Sequence, residues 1–172
     1  MLEWCGLLAG IDRCHARIMK TSKRLGVALI LMLVGSLWSA AQEKGYWLAA
    51  SSTAVAITGN VSISDTKITI NYTAKYTIAP IRRLTPAEIS AAFNADASAG
   101  NTGNLYSLSI PAAQRFLHHN TLCGTDDTQW MATYVVGKDL QLAFFSGASM
   151  PVLTPEAMAN STNLCGIFSY GR

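Results

Sequence analysis

A run of fourteen uncharged residues, Leu25 to Trp38, divides the chain into a leader and a body that has to fold. Lys20, Lys23 and Arg24 precede the run and Ser39-Ala40-Ala41 follow it. That order of basic, apolar and small residues is the pattern of a secretory signal peptide cleaved after Ala41. A helix that crosses the hydrocarbon core needs about 20 predominantly apolar residues, so a cleaved signal fits the run better than an anchor. Membrane attachment is expected only if the signal is retained, and no cysteine lies close enough behind the run for a lipid anchor. Residues 1–18, with Glu3, Asp12, Cys5 and Cys14, make an unusual front for a signal. Met19-Lys20-Thr21-Ser22-Lys23-Arg24 is a compact basic leader, which points to Met19 as a working start. The expected organisation is a leader over 1–41 and one β-rich domain over 42–172, exported to the periplasm or beyond.

The division changes what composition means. The whole chain carries 13 Lys and Arg against 10 Asp and Glu, a formal net charge of +3. Arg13, Arg17, Lys20, Lys23, Arg24, Glu3 and Asp12 all lie in the leader, which leaves the body electrically balanced. A neutral domain has no electrostatic footprint for nucleic acid or an anionic membrane. Only Cys123 and Cys165 lie in the body. In an oxidising compartment such a pair is most simply a disulfide, and neither a CxxC motif nor adjacent ligands support a redox or metal pair.

Short alternating segments dominate the body and predict a mainly β fold. Between Tyr46 and Ile70, the β-branched Thr53, Val55, Ile57 and Thr58 read as strand, with Gly59-Asn60 as a hairpin-compatible break and Ser64-Asp65-Thr66 as a turn. Val61, Ile63, Ile68 and Ile70 should face inward, and Lys67 and Thr69 outward. A further strand runs from Tyr72 to Ile81, ended by Pro80 and Arg82-Arg83. Thr85-Pro86-Ala87-Glu88 combines a capping residue, a first-turn proline and a glutamate three residues after the cap. This predicts a short helix with Ile89, Ala92 and Phe93 on one stripe and Asn94 as its stop, packed over one end of the sheet. Residues 96–104 read as a small polar loop, and Tyr106, Leu108 and Ile110 alternate with Ser107 and Ser109. Pro111 to Leu117 reads as a compact turn. Gln129–Val136 and Leu140–Phe145 flank Gly137-Lys138, a type II′ hairpin signal. The segment 147–163 carries a second cap, Thr154-Pro155-Glu156, before a last strand over Leu164–Tyr170. The sum is a small antiparallel β-barrel or sandwich of about seven strands, with one or two short helices and one disulfide. Closure is favoured because open edges are a liability in an exported domain.

Ser51-Ser52-Thr53-Ala54-Val55-Ala56-Ile57-Thr58-Gly59, Leu122-Cys123-Gly124, Phe144-Phe145-Ser146-Gly147 and Leu164-Cys165-Gly166-Ile167-Phe168-Ser169-Tyr170 resemble segments of a group of small secreted bacterial β-domain proteins. That resemblance implies an exported β-domain with paired cysteines and implies no activity. Ser146-Gly147-Ala148-Ser149-Met150 is more loosely similar to the bacterial inhibitors of C-type lysozyme. In those small periplasmic barrels, a Ser-Gly followed a few residues on by a tyrosine enters the lysozyme active site. Here Met150 stands where the tyrosine would be, which removes a main contact.

Catalytic signatures are sparse. Ser146 lies in F-F-S-G-A rather than G-x-S-x-G, and neither H-E-x-x-H nor a glycine-rich phosphate loop occurs. His118, His119, Asp126 and Asp127 are the one group with acid–base or zinc potential, and they underlie an alternative reading as a hydrolytic or metal-dependent enzyme. Adjacent histidines on an extended segment would point apart, and a solvated loop beside a disulfide is the favoured reading of them. Arg82-Arg83 is a possible anion clamp. Trp47, Trp130, Tyr46, Tyr72, Tyr106 and Tyr134 are either core or the lining of a barrel mouth. Asn60, Asn71 and Asn160 begin glycosylation sequons.

The reading favoured by the sequence is a non-enzymatic binding or interaction module for a protein or small ligand, with no cofactor and no metal. If a partner binds, Ser146, Gly147 and Met150 are the expected contact patch, because recognition usually sits on loops leaving a rigid hairpin; the rival and favoured reading of this loop is a plain link between two strands. Tyr106 and Trp130 are the expected pocket walls.

Overall fold

The computed structural model describes residues 43–96 and 101–172, and the expected signal, cleavage point and alternative start lie outside the described residues. Eight strands run antiparallel in sequence order: β1 (Gly45–Ala49), β2 (Val61–Ile63), β3 (Lys67–Ile70), β4 (Ala74–Arg83), β5 (Thr102–Ile110), β6 (Thr128–Val136), β7 (Asp139–Ser146) and β8 (Leu164–Gly171). Each pairs with the next, and β8 returns to β1 through Leu48 opposite Gly171 and Ala49 opposite Tyr170, so the sheet closes into a barrel. Eight strands, against the seven or so expected, make an interior just wide enough for side chains to fill. Trp47, Ile68, Ile70, Met131, Phe144, Phe168 and Tyr170 fill it and are fully buried. The alternation of β2 and β3 holds, with Val61, Ile63, Ile68 and Ile70 inside.

β5, β6 and β7 are covered on both sides, which explains why β6 and β7 are buried at almost every position. Helix α1 (Pro86–Phe93) lays Ile89, Ala92 and Phe93 on a second apolar layer with Leu105, Ala132, Tyr134, Ala143 and Phe145. The helix thus sits on the outer face of the barrel rather than over one end of the sheet. Its start is the one expected: the Thr85 side chain accepts from the Glu88 N–H, the Glu88 carboxylate accepts from the Thr85 N–H, and Asn94 ends it in the left-handed region. A second helix, α2 (Pro155–Ala159), is capped by Thr154 and brings Met158 to the same outer layer. The hairpin at Gly137 is as expected, with positive φ at the glycine and Val136 opposite Asp139. The Cys123–Cys165 disulfide is formed, with 4.7 Å between the Cα atoms.

Four local expectations are corrected. Residues Ala54–Thr58 form a π-helical turn, not a strand. The Ser51 hydroxyl accepts the Ala54 N–H, and the Gly59 N–H reaches back to the Ala54 carbonyl. β-Branched residues favour strands only where a pleated surface receives them. This turn instead closes one end of the barrel, packing Ala54 and Ile57 into the interior cluster beside Phe116 and Leu122. Tyr72 does not begin a strand: it lies in the three-residue turn between the paired Ile70 and Ala74, where Asn71 and Tyr72 both have positive φ. Pro80 does not end β4, which continues to Arg83 past a register shift between Pro80 and Arg82, a place where a missing N–H is tolerated. Finally, Thr102, Gly103 and Asn104 belong to β5 rather than to the preceding loop, because Thr133 and its neighbours on β6 pair with them.

Candidate functional site

The disulfide end of the β6–β7–β8 sheet carries a polar cavity of about 480 Å³, lined by Thr125, Asp126, Asp127, Gln129, Ser146, Gly147 and Asn163. Three separate pieces of chain build it, and each is tied to another. Thr128 on β6 pairs with Ser146 on β7. The Ser146 N–H donates to the Asn163 carbonyl at 2.9 Å, and the Trp130 indole N–H donates to the Gly147 carbonyl at 3.0 Å. The disulfide then fastens the segment before β6 to the start of β8. Gly147 has φ of +87°, a backbone conformation that strains any residue with a Cβ, and it lies close against the Asn163 amide. Asp127 accepts the Ala112 N–H, which leaves one of its oxygens and the exposed Asp126 carboxylate to face the cavity's solvent.

The expected contact patch is divided by this arrangement. Ser146 and Gly147 belong to the polar cavity, whereas Met150 lines a separate hollow of about 300 Å³ with Phe145, Pro151, Val152 and Asn163. Ser146 is only 5% exposed and its hydroxyl turns toward the Asn163 carbonyl, so its role in the wall is structural. Tyr106 and Trp130 cannot wall one pocket, because they stand on opposite faces of the sheet. Tyr106 packs with the barrel interior, and Trp130 packs with the outer layer under the helices. The same division separates Trp47, buried inside, from Tyr134, buried outside, and from Tyr46 and Tyr72, which are exposed. No shared lining of a barrel mouth results.

His118 and His119 do not lie on an extended segment. Both have positive φ in a 3₁₀ turn, Leu117–His119. Among the described residues, no group of three or more His, Cys, Asp or Glu side chains gathers to hold a metal ion. Arg82 is occupied by a bidentate contact to Glu88, Nη1 to Oε2 at 2.8 Å and Nη2 to Oε1 at 2.6 Å. That guanidinium, ahead of the helix-cap hydrogen bonds, holds the Glu88 carboxyl down at about 2. Arg82 is therefore a helix anchor and not an anion clamp.

Two buried polar contacts were invisible in the linear sequence. Glu43 is buried, and its carboxylate accepts the Asn104 amide at 2.5 Å and the Tyr106 hydroxyl at 2.8 Å. Burial first, and then the Glu43 charge, push the Tyr106 phenol well above its usual range. Thr58 on the π-turn shares a 2.7 Å hydrogen bond with the Tyr170 hydroxyl inside the barrel, where burial also raises the Tyr170 phenol. Both contacts join positions far apart in the chain, so no local pattern announces them. The one local trace is an acid four residues ahead of Trp47, just before the first strand.

No family model, curated protein or solved structure matches the chain. The cavity's walls offer carboxylate, amide and carbonyl oxygens together with amide N–H groups. Among its lining residues no lysine or arginine is present.

Proposed function

We propose that this chain is an exported, single-domain binding module, not an enzyme, and that the polar cavity beside the disulfide receives a donor-rich ligand group such as an amine or guanidinium. One observation carries the reading: the cavity's walls come from residues 125–129, 146–147 and 163, and hydrogen bonds and a disulfide hold them in place before any ligand arrives. Preorganised walls spare a ligand the cost of ordering them. The acidic and amide oxygens complement a cation, and charged hydrogen bonds are the stronger kind. Export is consistent with the disulfide and with the leader's pattern.

The test is a titration of the oxidised protein, labelled for amide NMR, with a tri-lysine peptide at low salt. Shifts should concentrate on Asp126, Gln129 and Asn163 and vanish in Asp126→Lys. Shifts spread evenly over the surface, or equal in the variant, would overturn the reading.

A second reading, a hydrolase inhibitor of the lysozyme-inhibitor type, is favoured by the small closed barrel with Ser146-Gly147 at the end of β7. The inward Ser146 hydroxyl and Met150 weigh against it. Assay of a C-type lysozyme with a tenfold excess of the protein decides, and full residual activity excludes the role.

A further inference from the structure

Away from the polar cavity, the surface carries two tyrosines that belong to neither apolar cluster. Tyr46 is 42% exposed and Tyr72 is 63% exposed, while Trp47, the neighbour of Tyr46, is completely buried. The two rings stack with their centroids 5.7 Å apart and their planes 29° from parallel. Their hydroxyls are hydrogen-bonded to each other, and the Asn60 amide N–H₂ donates to both, at 2.7 Å to Tyr46 and 3.1 Å to Tyr72. Asn60 is itself fixed, since its carbonyl oxygen accepts the Ala49 backbone N–H at 2.9 Å. A backbone-anchored amide thus joins the two exposed rings.

Tyr72 holds its place against a backbone preference. It sits at φ +64° in the three-residue β3–β4 turn, a conformation that favours glycine. Residues held in such sparsely populated backbone conformations cluster at binding sites.

We infer that Tyr46, Tyr72 and Asn60 form a carbohydrate-binding platform for a neutral pyranose chain. The chemistry of the patch selects that class. A stacked pair of phenol rings presents flat, polarizable faces, and its rim holds a fixed amide and two hydroxyls, all uncharged. A pyranose ring is the matching object, with C–H groups on its face and hydroxyls around its edge. The platform continues across the barrel's outer face. Tyr46 pairs with Ser62, Ser62 with Thr69 and Thr69 with Lys75, so two hydroxyl side chains and then one exposed lysine stand beside the rings at successive strand spacings of about 4.8 Å. An acidic peptide or a nucleic acid would need a cluster of cations, and Lys75 at the far end of this row is a single one.

The experiment is calorimetric and NMR titration of the oxidised protein with maltohexaose, cellohexaose and chitohexaose. At least one should bind in the millimolar range or tighter and shift the ring protons of Tyr46 and Tyr72. Tyr72→Gly relieves the backbone conformation while deleting the ring, so the variant should fold at least as well and lose binding at least tenfold. Asn60→Ala should weaken binding by releasing the rings, and Tyr46→Phe should retain most of it. Asp126→Lys should leave sugar binding unchanged, which separates this platform from the polar cavity. Absence of binding by all three oligosaccharides, or equal affinity in a folded Tyr72→Gly variant, overturns the inference. Capture of a protein partner through these tyrosines, with no sugar binding, overturns it as well.

Discussion

Removing the Cys123–Cys165 bridge should cost the domain about 4 kcal/mol, and the figure follows from the length of chain it closes. The cysteines are 42 positions apart, and the chain-entropy relation for a loop of that size gives about 4 kcal/mol at 25 °C. A double Cys123→Ala, Cys165→Ala variant keeps both Cβ atoms against the interior cluster, so little packing is lost. It also deprives the Thr128 hydroxyl of the Cys123 sulfur that it contacts at 3.0 Å, a weak bond worth at most several tenths of a kcal/mol. Against a typical stability of about 5–15 kcal/mol, the variant should remain folded but much closer to its threshold. Guanidinium unfolding followed by the fluorescence of Trp47 and Trp130 measures the change. The slope of free energy on denaturant should rise in the variant, because an unfolded chain without the cross-link exposes more surface. A loss below about 1 kcal/mol with an unchanged slope would refute the idea that the bridge acts by restricting the unfolded chain. Tri-lysine binding should weaken in parallel, since the bridge holds two of the three wall segments.

Two pH-dependent predictions follow from the buried and paired groups. Glu88 has its folded pKa lowered from 4.5 to about 2, so its contribution is present above the unfolded value and is lost as pH falls through about 2. The shift sets a ceiling of about 3 kcal/mol, and the pair's position at the surface reduces the expected effect to about 1–2 kcal/mol. Glu88→Gln preserves the capping box, so its urea midpoint should fall below wild type at about pH 6 and converge with it near pH 2; a gap of the same size at both would count against the assignment. At the alkaline end, Tyr106 and Tyr170 have raised pKa values, so stability present below about pH 10 should fall as pH rises beyond it. Their phenolate absorbance should appear only together with unfolding, and reversible ionisation of both in the folded protein would contradict their buried contacts.

Helix α1 was legible residue by residue, because a capping box, a first-turn proline and an apolar stripe are local devices with local free energies. The same is true of the Gly137 hairpin and of the inward faces of β2 and β3. The disulfide needed only a count of cysteines in the body of the chain. The candidate sites were less legible. Ser146 and Gly147 were found as a strand exit, but the split from Met150 depends on where Asn163 returns against Ser146.

Sequence alone determined the β class, the alternation and the caps, since each is written within a few neighbouring residues. Alternation separates two faces of a strand but does not say which one is inside. Trp130, Ala132 and Tyr134 form as apolar a row as Leu140, Leu142 and Phe144, yet the first lies outside under the helices and the second fills the barrel. Closure of eight strands made that choice, because only one set of faces can share the enclosed interior. Closure also turned Ala54–Thr58 from a promising strand into a helical plug, where burial of Ala54 and the Thr58–Tyr170 hydrogen bond outweigh a preference of a few tenths of a kcal/mol per residue. Glu43 and Tyr106 are 63 positions apart in the chain, and the barrel brings them within 2.8 Å. Such contacts belong to the tertiary structure, because their energy exists only once distant segments share a space without water.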